Sequence, residues 1–263
     1  MFHFSRKQLG IPYVIFLIGF VVLPLLVIFY YAFTNGEGQF TMENFTAFFT
    51  GTNTIGTLLY SLLIALTVTA VCLVIAYPIA LILARFPLKH RTALLMLFIL
   101  PMWINFTLRI TALKEILTAL EGNLAYHPFL NTVIGMTYDF LPFMILPLYN
   151  TLEKIDNSLL EAAMDLGAGT VKTFLKVTLP LSVPGILSGV TMVFLPAMTN
   201  YVVLDMFYNS TYIMGSLIGS YFSAYDWNNG SMISIVLLLI IFAITIATNQ
   251  FSEDSETNRG AVL

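Results

Sequence analysis

Residues 157–185, NSLLEAAMDLGAGTVKTFLKVTLPLSVPG, are the one polar stretch long enough to fold by itself in a chain otherwise made of nearly continuous apolar runs. Ser158 followed three residues later by Glu161 has the spacing of a capping box, in which each side chain satisfies a backbone N–H left open at a helix start. A short helix is therefore expected from about Leu159, with Leu159, Ala163 and Leu166 recurring at helical spacing. Gly167 and Gly169 permit the left-handed backbone that stops a helix. Thr170 is placed to cap a second short helix, which runs toward Val177 until Pro180 and Pro184, lacking amide protons, reset the backbone. The pattern predicts two short helices joined at a glycine and lying flat between membrane spans, a rigid knob suited to docking rather than a cavity.

The sequence on either side decides what carries the knob. Of 263 residues, 58% are hydrophobic and 10% charged, against about a quarter charged in a soluble domain. A helix needs about 20 apolar residues to cross a hydrocarbon core of about 30 Å. Runs of that length predict an all-α, polytopic protein with six spans near 11–33, 57–84, 92–113, 130–149, 182–201 and 231–249, and a loop over 150–181. The whole of 1–263 reads as one transmembrane domain. The first run follows a basic start but is too long for a signal peptide and lacks a small-residue cleavage site, so it reads as a retained span.

Six spans put both termini on one side of the bilayer. Arg6, Lys7, Arg85, Lys89, Arg91, Lys154, Lys172, Lys176 and Arg259 fall on that side, leaving Arg109 and Lys114 elsewhere. The side rich in lysine and arginine is cytoplasmic, which places the knob in the cytoplasm. The outer segments 34–56, 114–129 and 202–230 are polar and modest in length, enough for caps and short helices. The acidic tail SEDSETNRGAVL favours disorder. A net charge of −3 gives no case for a nucleic-acid partner, and Cys72, the single cysteine, reads as core filler.

Chemistry of other kinds finds no footing. There is no G-x4-G-K-[ST] phosphate loop, so ATP is not hydrolysed by this chain, and no G-x-S-x-G or H-E-x-x-H. His3, His90 and His127 are scattered without partners at ligand spacing, so no metal site is expected. Polar groups inside the spans carry more information, since an ionisable side chain there costs roughly 2.5–3.5 kcal/mol on insertion scales. Arg109 and Asp139 are two such groups, expected to face the bundle interior as a pair. On a straight helix Trp103 lies about 18 Å from Arg91, near the bilayer middle, with Asn105 and Arg109 above it. Prolines at 24, 78, 101, 142, 147 and 196 predict kinked spans.

Glu161-Ala162-Ala163, then Gly167, then Val177-x-Leu179-Pro180 resembles the EAA signature of bacterial ABC importer permeases, EAA-x3-G-x9-I-x-L-P, with valine where isoleucine is usual. YPIALILARFPLKHRTALLMLFILPMWINFTLRITALKEIL at 77–117, LPFMILPLYNTLEKIDNSLLEAAMDLGA at 141–168 and LPAMTNYVVLD at 195–205 resemble the PotB-type permeases of spermidine/putrescine importers, the likeness covering most of 58–227. That resemblance implies the type I ABC importer permease fold. It also implies a cytoplasmic coupling helix, Glu161, Ala162, Ala163, Asp165, Gly167, Ala168, Leu179 and Pro180 being the residues at the ATPase contact. The implied assembly pairs this chain with a second, PotC-like permease, two PotA-like ATPases, which use ATP and Mg, and an extracytoplasmic PotD-like binding protein, in a bacterial inner membrane. No cofactor is expected on this chain.

A polyamine pathway calls for carboxylates and aromatic faces, because aromatic rings attract cations. Trp103, Asn105, Tyr138, Asp139, Tyr201 and Asp205 are the candidates, Tyr201 and Asp205 at the outer mouth and Trp103 and Asp205 supported by the resemblance. A permease for another solute such as sulfate, iron or an amino acid stays open, as does an ion-coupled secondary transporter, although the EAA loop argues against the latter. A membrane enzyme lacks any catalytic constellation.

Overall fold

The computed structural model describes residues 10–86, 89–208 and 213–260 and, within these, every side chain except those of residue 52 and of 247–260. Arg6 and Lys7 lie outside the described residues, as do the side chains of Arg259 and of the acidic tail. Among the described residues there is no strand, only an isolated bridge between Thr34 and Phe40.

The chain opens with Ile11–Leu17 (α1), a π-turn at Ile18–Val22 and Leu23–Ala32 (α2), then Glu43–Thr50 (α3) and the long Thr52–Arg85 (α4). Arg91–Ile99 (α5), a 3₁₀ turn at Leu100–Trp103 and Phe106–Glu121 (α6) follow. A 3₁₀ turn at Leu124–Tyr126 leads to Pro128–Glu153 (α7), Asn157–Asp165 (α8) and Thr170–Thr173 (α9). A π-turn at Phe174–Thr178 leads to Leu179–Thr199 (α10), and Val202–Tyr208 (α11), Met214–Ser223 (α12) and Trp227–Gly260 (α13) close the chain. Among the described residues five helices are long and apolar enough to cross a membrane, or six if the bent pair around residue 103 is one span.

The centre of the bundle is α4, α7 and α10. On α4 the buried residues Ser61, Ile64, Ala65, Val68, Cys72, Ala76, Ala80 and Leu83 recur at helical spacing. The alanines among them are small, which lets neighbouring backbones come close where lipid offers no hydrophobic drive. α10 approaches α7 through Gly185 and Gly189. A Cβ at Gly185 would lie 2.7 Å from the Thr151 side chain, and one at Gly189 would lie 2.5 Å from Met144 Sδ.

Two prolines are absorbed by the same device. A helical proline leaves the carbonyl four residues back without its donor. Immediately before Pro24, Leu23 N–H reaches five residues back to Ile18 O; immediately before Pro180, Leu179 N–H reaches five back to Phe174 O. The extra residue in each turn keeps the helix going. This corrects the expected stop at Pro180: 170–199 run as one continuous helix, so the knob is one short helix plus the base of a long one, not two short helices.

The third span, expected as one helix over 92–113 with a kink at Pro101, is instead broken in two. Its halves, Arg91–Trp103 and Phe106–Glu121, meet at 98°. Pro101 weakens the first helix, Ile104 is extended, and Asn105 starts a new helix by accepting hydrogen bonds from Thr107 N (2.9 Å) and Leu108 N (3.4 Å). The tail also departs from expectation, since the backbone of α13 is helical to Gly260. A span that has already met the nucleation cost extends at only the propagation cost.

Candidate functional site

The linker Lys154–Ile155–Asp156 separates α7 from α8, and Asp156 starts the short helix: its Oδ1 accepts the N–H of Ser158 at 2.9 Å. This replaces the capping box expected between Ser158 and Glu161. An aspartate two residues upstream takes the open amide first, so Ser158 lies inside the first turn. The same bond holds the Asp156 carboxyl below its usual range.

The far end is a complete Schellman cap. Gly167 has φ +81°, its N–H reaches Met164 O at 2.9 Å, and Ala168 N–H reaches Ala163 O at 3.1 Å. The left-handed residue that this cap needs is almost free for glycine and strained for any side chain with a Cβ. Gly169 does not share the conformation; at φ −65° and ψ 164° it is extended and precedes α9, with Thr170 already inside the helix.

Capped at both ends, α8 holds its side chains in a fixed array. Glu161, Ala162 and Asp165 are exposed, Ala163 and Ala168 half-buried. Leu179 is half-buried and Pro180 exposed at the base of α10. Around them stand apolar side chains that nothing among the described residues covers: Leu166 is 90% exposed and Val171 71%, with Leu159 and Met164 also open. Exposed apolar groups gathered in one place are the kind of surface that marks an interaction site.

Within the bundle the structure unites some of the expected pathway residues and separates others. Arg109 on α6 and Asp139 on α7 form a buried ion pair, and the Arg109 guanidinium stands 5.9 Å over the ring of Tyr138, which is partly exposed. Tyr201 and Asp205 sit together at the start of α11, where Asp205 N–H bonds Tyr201 O at 2.9 Å, both side chains exposed. Trp103 is 76% exposed at the break of the third span, and Asn105 is spent on capping α6.

Sequence reasoning passed over the residues that hold α8 to the bundle. Arg85 NH1 donates to Ile155 O at 3.0 Å and to Asn157 Oδ1 at 2.7 Å. Arg91 pairs with Glu153 at 3.0 Å, and Tyr149 donates to the same carboxylate at 2.9 Å. Tyr77 OH lies 2.9 Å from Ser182 Oγ and its ring stands edge-on to Phe174. Arg85 and Arg91 entered the sequence reading only as charges that set orientation; a span-ending arginine gives no signal of which loop it will reach.

Five or six helices of membrane-spanning length, with a capped polar hairpin between two of them, make a polytopic membrane protein. The chain belongs to the family of binding-protein-dependent transport system inner membrane components, whose pattern its residues 76–253 match. It is 37% identical over 247 residues to the spermidine/putrescine transport system permease protein PotB of Escherichia coli strain K12, with 86% of this chain and 90% of that protein covered. It is likewise 37% identical over 253 residues to PotB of Haemophilus influenzae, covering 86% of each. The fold is shared with a bacterial ABC transporter involved in the import of the acidic polysaccharide alginate, at TM-score 0.72, 16% identity and 94% coverage of both chains.

Proposed function

We propose that this chain forms half of the translocation pathway of an ATP-driven importer of polyamines such as spermidine and putrescine. The observation that carries the substrate is the 37% identity to PotB proteins over 86% of the chain. The class of mechanism is supported by α8, whose caps and exposed Met164 and Leu166, with the exposed Val171 of the neighbouring α9, suit it to the cleft of an ATPase. In this reading Glu161, Ala162, Ala163, Asp165, Gly167, Ala168, Leu179 and Pro180 make or shape the contact. ATP, with Mg, is hydrolysed by two separate PotA-like subunits. A PotC-like permease supplies the other half of the pathway, and a PotD-like binding protein delivers polyamine from outside. Both termini and α8 face the cytoplasm, in keeping with the lysine and arginine bias.

Closure of the ATPase pair on ATP moves α8, and the attached spans tilt between inward- and outward-facing arrangements. ATP drives this only through contacts that differ between the two arrangements. The residues proposed for the pathway are Trp103, Tyr138, Tyr201 and Asp205; of the other two expected there, Asn105 caps α6 and Asp139 is buried against Arg109. Arg109 does not oppose a cationic substrate, because its charge is balanced by Asp139. The test is uptake of labelled spermidine, presented with the PotD-like binding protein, by proteoliposomes holding both permeases, with and without the ATPase. Uptake that needs ATPase and ATP supports the proposal; uptake that persists without the ATPase and follows an ion gradient overturns it.

A further inference from the structure

The joint between the knob and the bundle is the place where motion is either passed on or lost. The covalent link from α7 to α8 is the three-residue linker 154–156, which is free to flex unless something holds it. Arg85, the last residue of α4, bonds the Ile155 carbonyl inside that linker and the side chain of Asn157, the first residue of α8. On the downstream side, Ser182 Oγ donates to Leu179 O at 2.8 Å, which leaves its oxygen to accept from Tyr77 OH. The Tyr77 ring meets Phe174 edge-on with centroids 5.8 Å apart. Tyr77 therefore grips the π-turn and the first turns of α10. Both flanks of the knob are tied to one helix, and the two ties stand eight residues apart along an i±4 ridge of α4, roughly 12 Å along its axis.

We infer that α4 is the lever that receives the motion of α8, with Arg85 and Tyr77 as the positioning residues that transmit it. This rests on the proposed coupling to an ATPase. Transmission between sites needs a rigid connection with defined arrangements rather than mere proximity, and these two ties convert a flexible linker into such a connection. Stability alone does not explain Arg85. Its Nε and NH2 are buried and have no acceptor among the described residues, an arrangement that costs folding free energy. Arg85→Met removes those unpartnered donors and keeps the aliphatic stem, so the chain is expected to fold and assemble while the tie to Ile155 and Asn157 is gone.

The experiment uses the full complex of both permeases and the ATPase in proteoliposomes supplied with spermidine and the PotD-like binding protein, and reads spermidine transported per ATP hydrolysed. For Arg85→Met the expected result is normal ATPase association, continued hydrolysis and a ratio lowered by at least about fivefold, the lower end of ordinary coupling between sites. Arg85→Lys, which keeps one cationic donor for Ile155 O, should recover part of the ratio, whereas a role in packing alone would leave Lys and Met alike. Tyr77→Phe keeps the contact with Phe174 and loses only the hydroxyl; it is expected to lower the ratio as well, and it decides the matter if Arg85→Met fails to assemble. Parental ratios in assembled Arg85→Met and Tyr77→Phe complexes overturn the lever and leave the coupling role of α8 standing. Failure of the parental chain to bind the ATPase or to stimulate hydrolysis overturns the coupling role, and the lever with it.

Discussion

Arg109 and Asp139 are joined in a buried ion pair that fastens α6, the second half of the broken third span, to α7. At the other end of α6, Asn131 donates to Glu121 at 2.6 Å, so the helix is held against α7 at two levels, while the first half, α5, is tied to α7 separately by Arg91 and Glu153. The break at 100–105 is thus fixed in place by polar contacts on both sides of it. Arg109 Nε and NH1 have no acceptor among the described residues, so Asp139 is the one acceptor its guanidinium has among them. Asp139→Asn leaves a buried cation without its counter-charge, which typically costs about 3–5 kcal/mol. The expected outcome is a marked loss of thermal stability in detergent. The double substitution Arg109→Met with Asp139→Leu should be far milder, and equal losses for the two variants would count against the pair as a buried unit.

The Asp156 cap gives α8 a pH dependence of known sign. Its carboxyl is held below the usual range by the Ser158 N–H, so the folded form favours the charged state. The stabilisation is full above the unfolded value, about 3.9, and is lost as pH falls through the lower folded value. Protection of the Ser158–Leu160 amides, taken relative to intrinsic exchange at each pH, should therefore fall in acid in the parental chain and be low at all pH in Asp156→Ala. Protection unchanged by both the substitution and acid contradicts the cap.

Packing of α10 on α7 predicts an order for two glycines. A methyl at Gly185 meets the β-branched Thr151 side chain at 2.7 Å and the Pro147 carbonyl at 3.0 Å, whereas one at Gly189 meets first the flexible end of Met144. Overpacking a tight interface costs typically 1–3 kcal/mol, and Met144 can rotate away. Gly185→Ala should lower the melting temperature more than Gly189→Ala; the reverse order would contradict the helix register described here.

The α8 segment and most spans were legible in the sequence because glycine, proline and hydrophobic run length act locally. Gly167 is left-handed because only glycine takes that conformation cheaply, and the buried stripe on α4 follows from spacing alone. The break at 98° was not legible. Pro101 signals a kink, but whether a helix bends or restarts depends on Asn105 finding the Thr107 and Leu108 amides. The continuity through Pro180 was hidden for a related reason, as a π-turn leaves no mark in composition. Arg85 was missed because its partners lie in a loop 70 residues later, and long-range ties have no periodicity.

The pathway residues are tested by substitutions that leave the fold alone. Trp103 is 76% exposed and Asp205 is exposed, so Trp103→Leu and Asp205→Asn disturb little packing. An aromatic face is worth about 0.5–2 kcal/mol to a bound cation, which is a loss of roughly 2- to 30-fold in apparent spermidine affinity for Trp103→Leu. Assembled complexes of both variants that transport at the parental rate and affinity would remove these residues from the pathway.

The central claim is that α8 couples ATP hydrolysis in a partner to transport through this chain, and Gly167 is where it is most directly tested. At φ +81°, Gly167→Val places a β-branched residue in a left-handed conformation that costs roughly 1–2 kcal/mol even for an unbranched side chain, and the Schellman cap that aims the knob is lost. Spermidine uptake and spermidine-stimulated ATP hydrolysis should be measured side by side in proteoliposomes holding the complete complex. Gly167→Val is expected to abolish uptake together with stimulation of hydrolysis, through failed docking or failed coupling, while the permease itself remains in the membrane; parental uptake with parental stimulated hydrolysis would contradict coupling through α8.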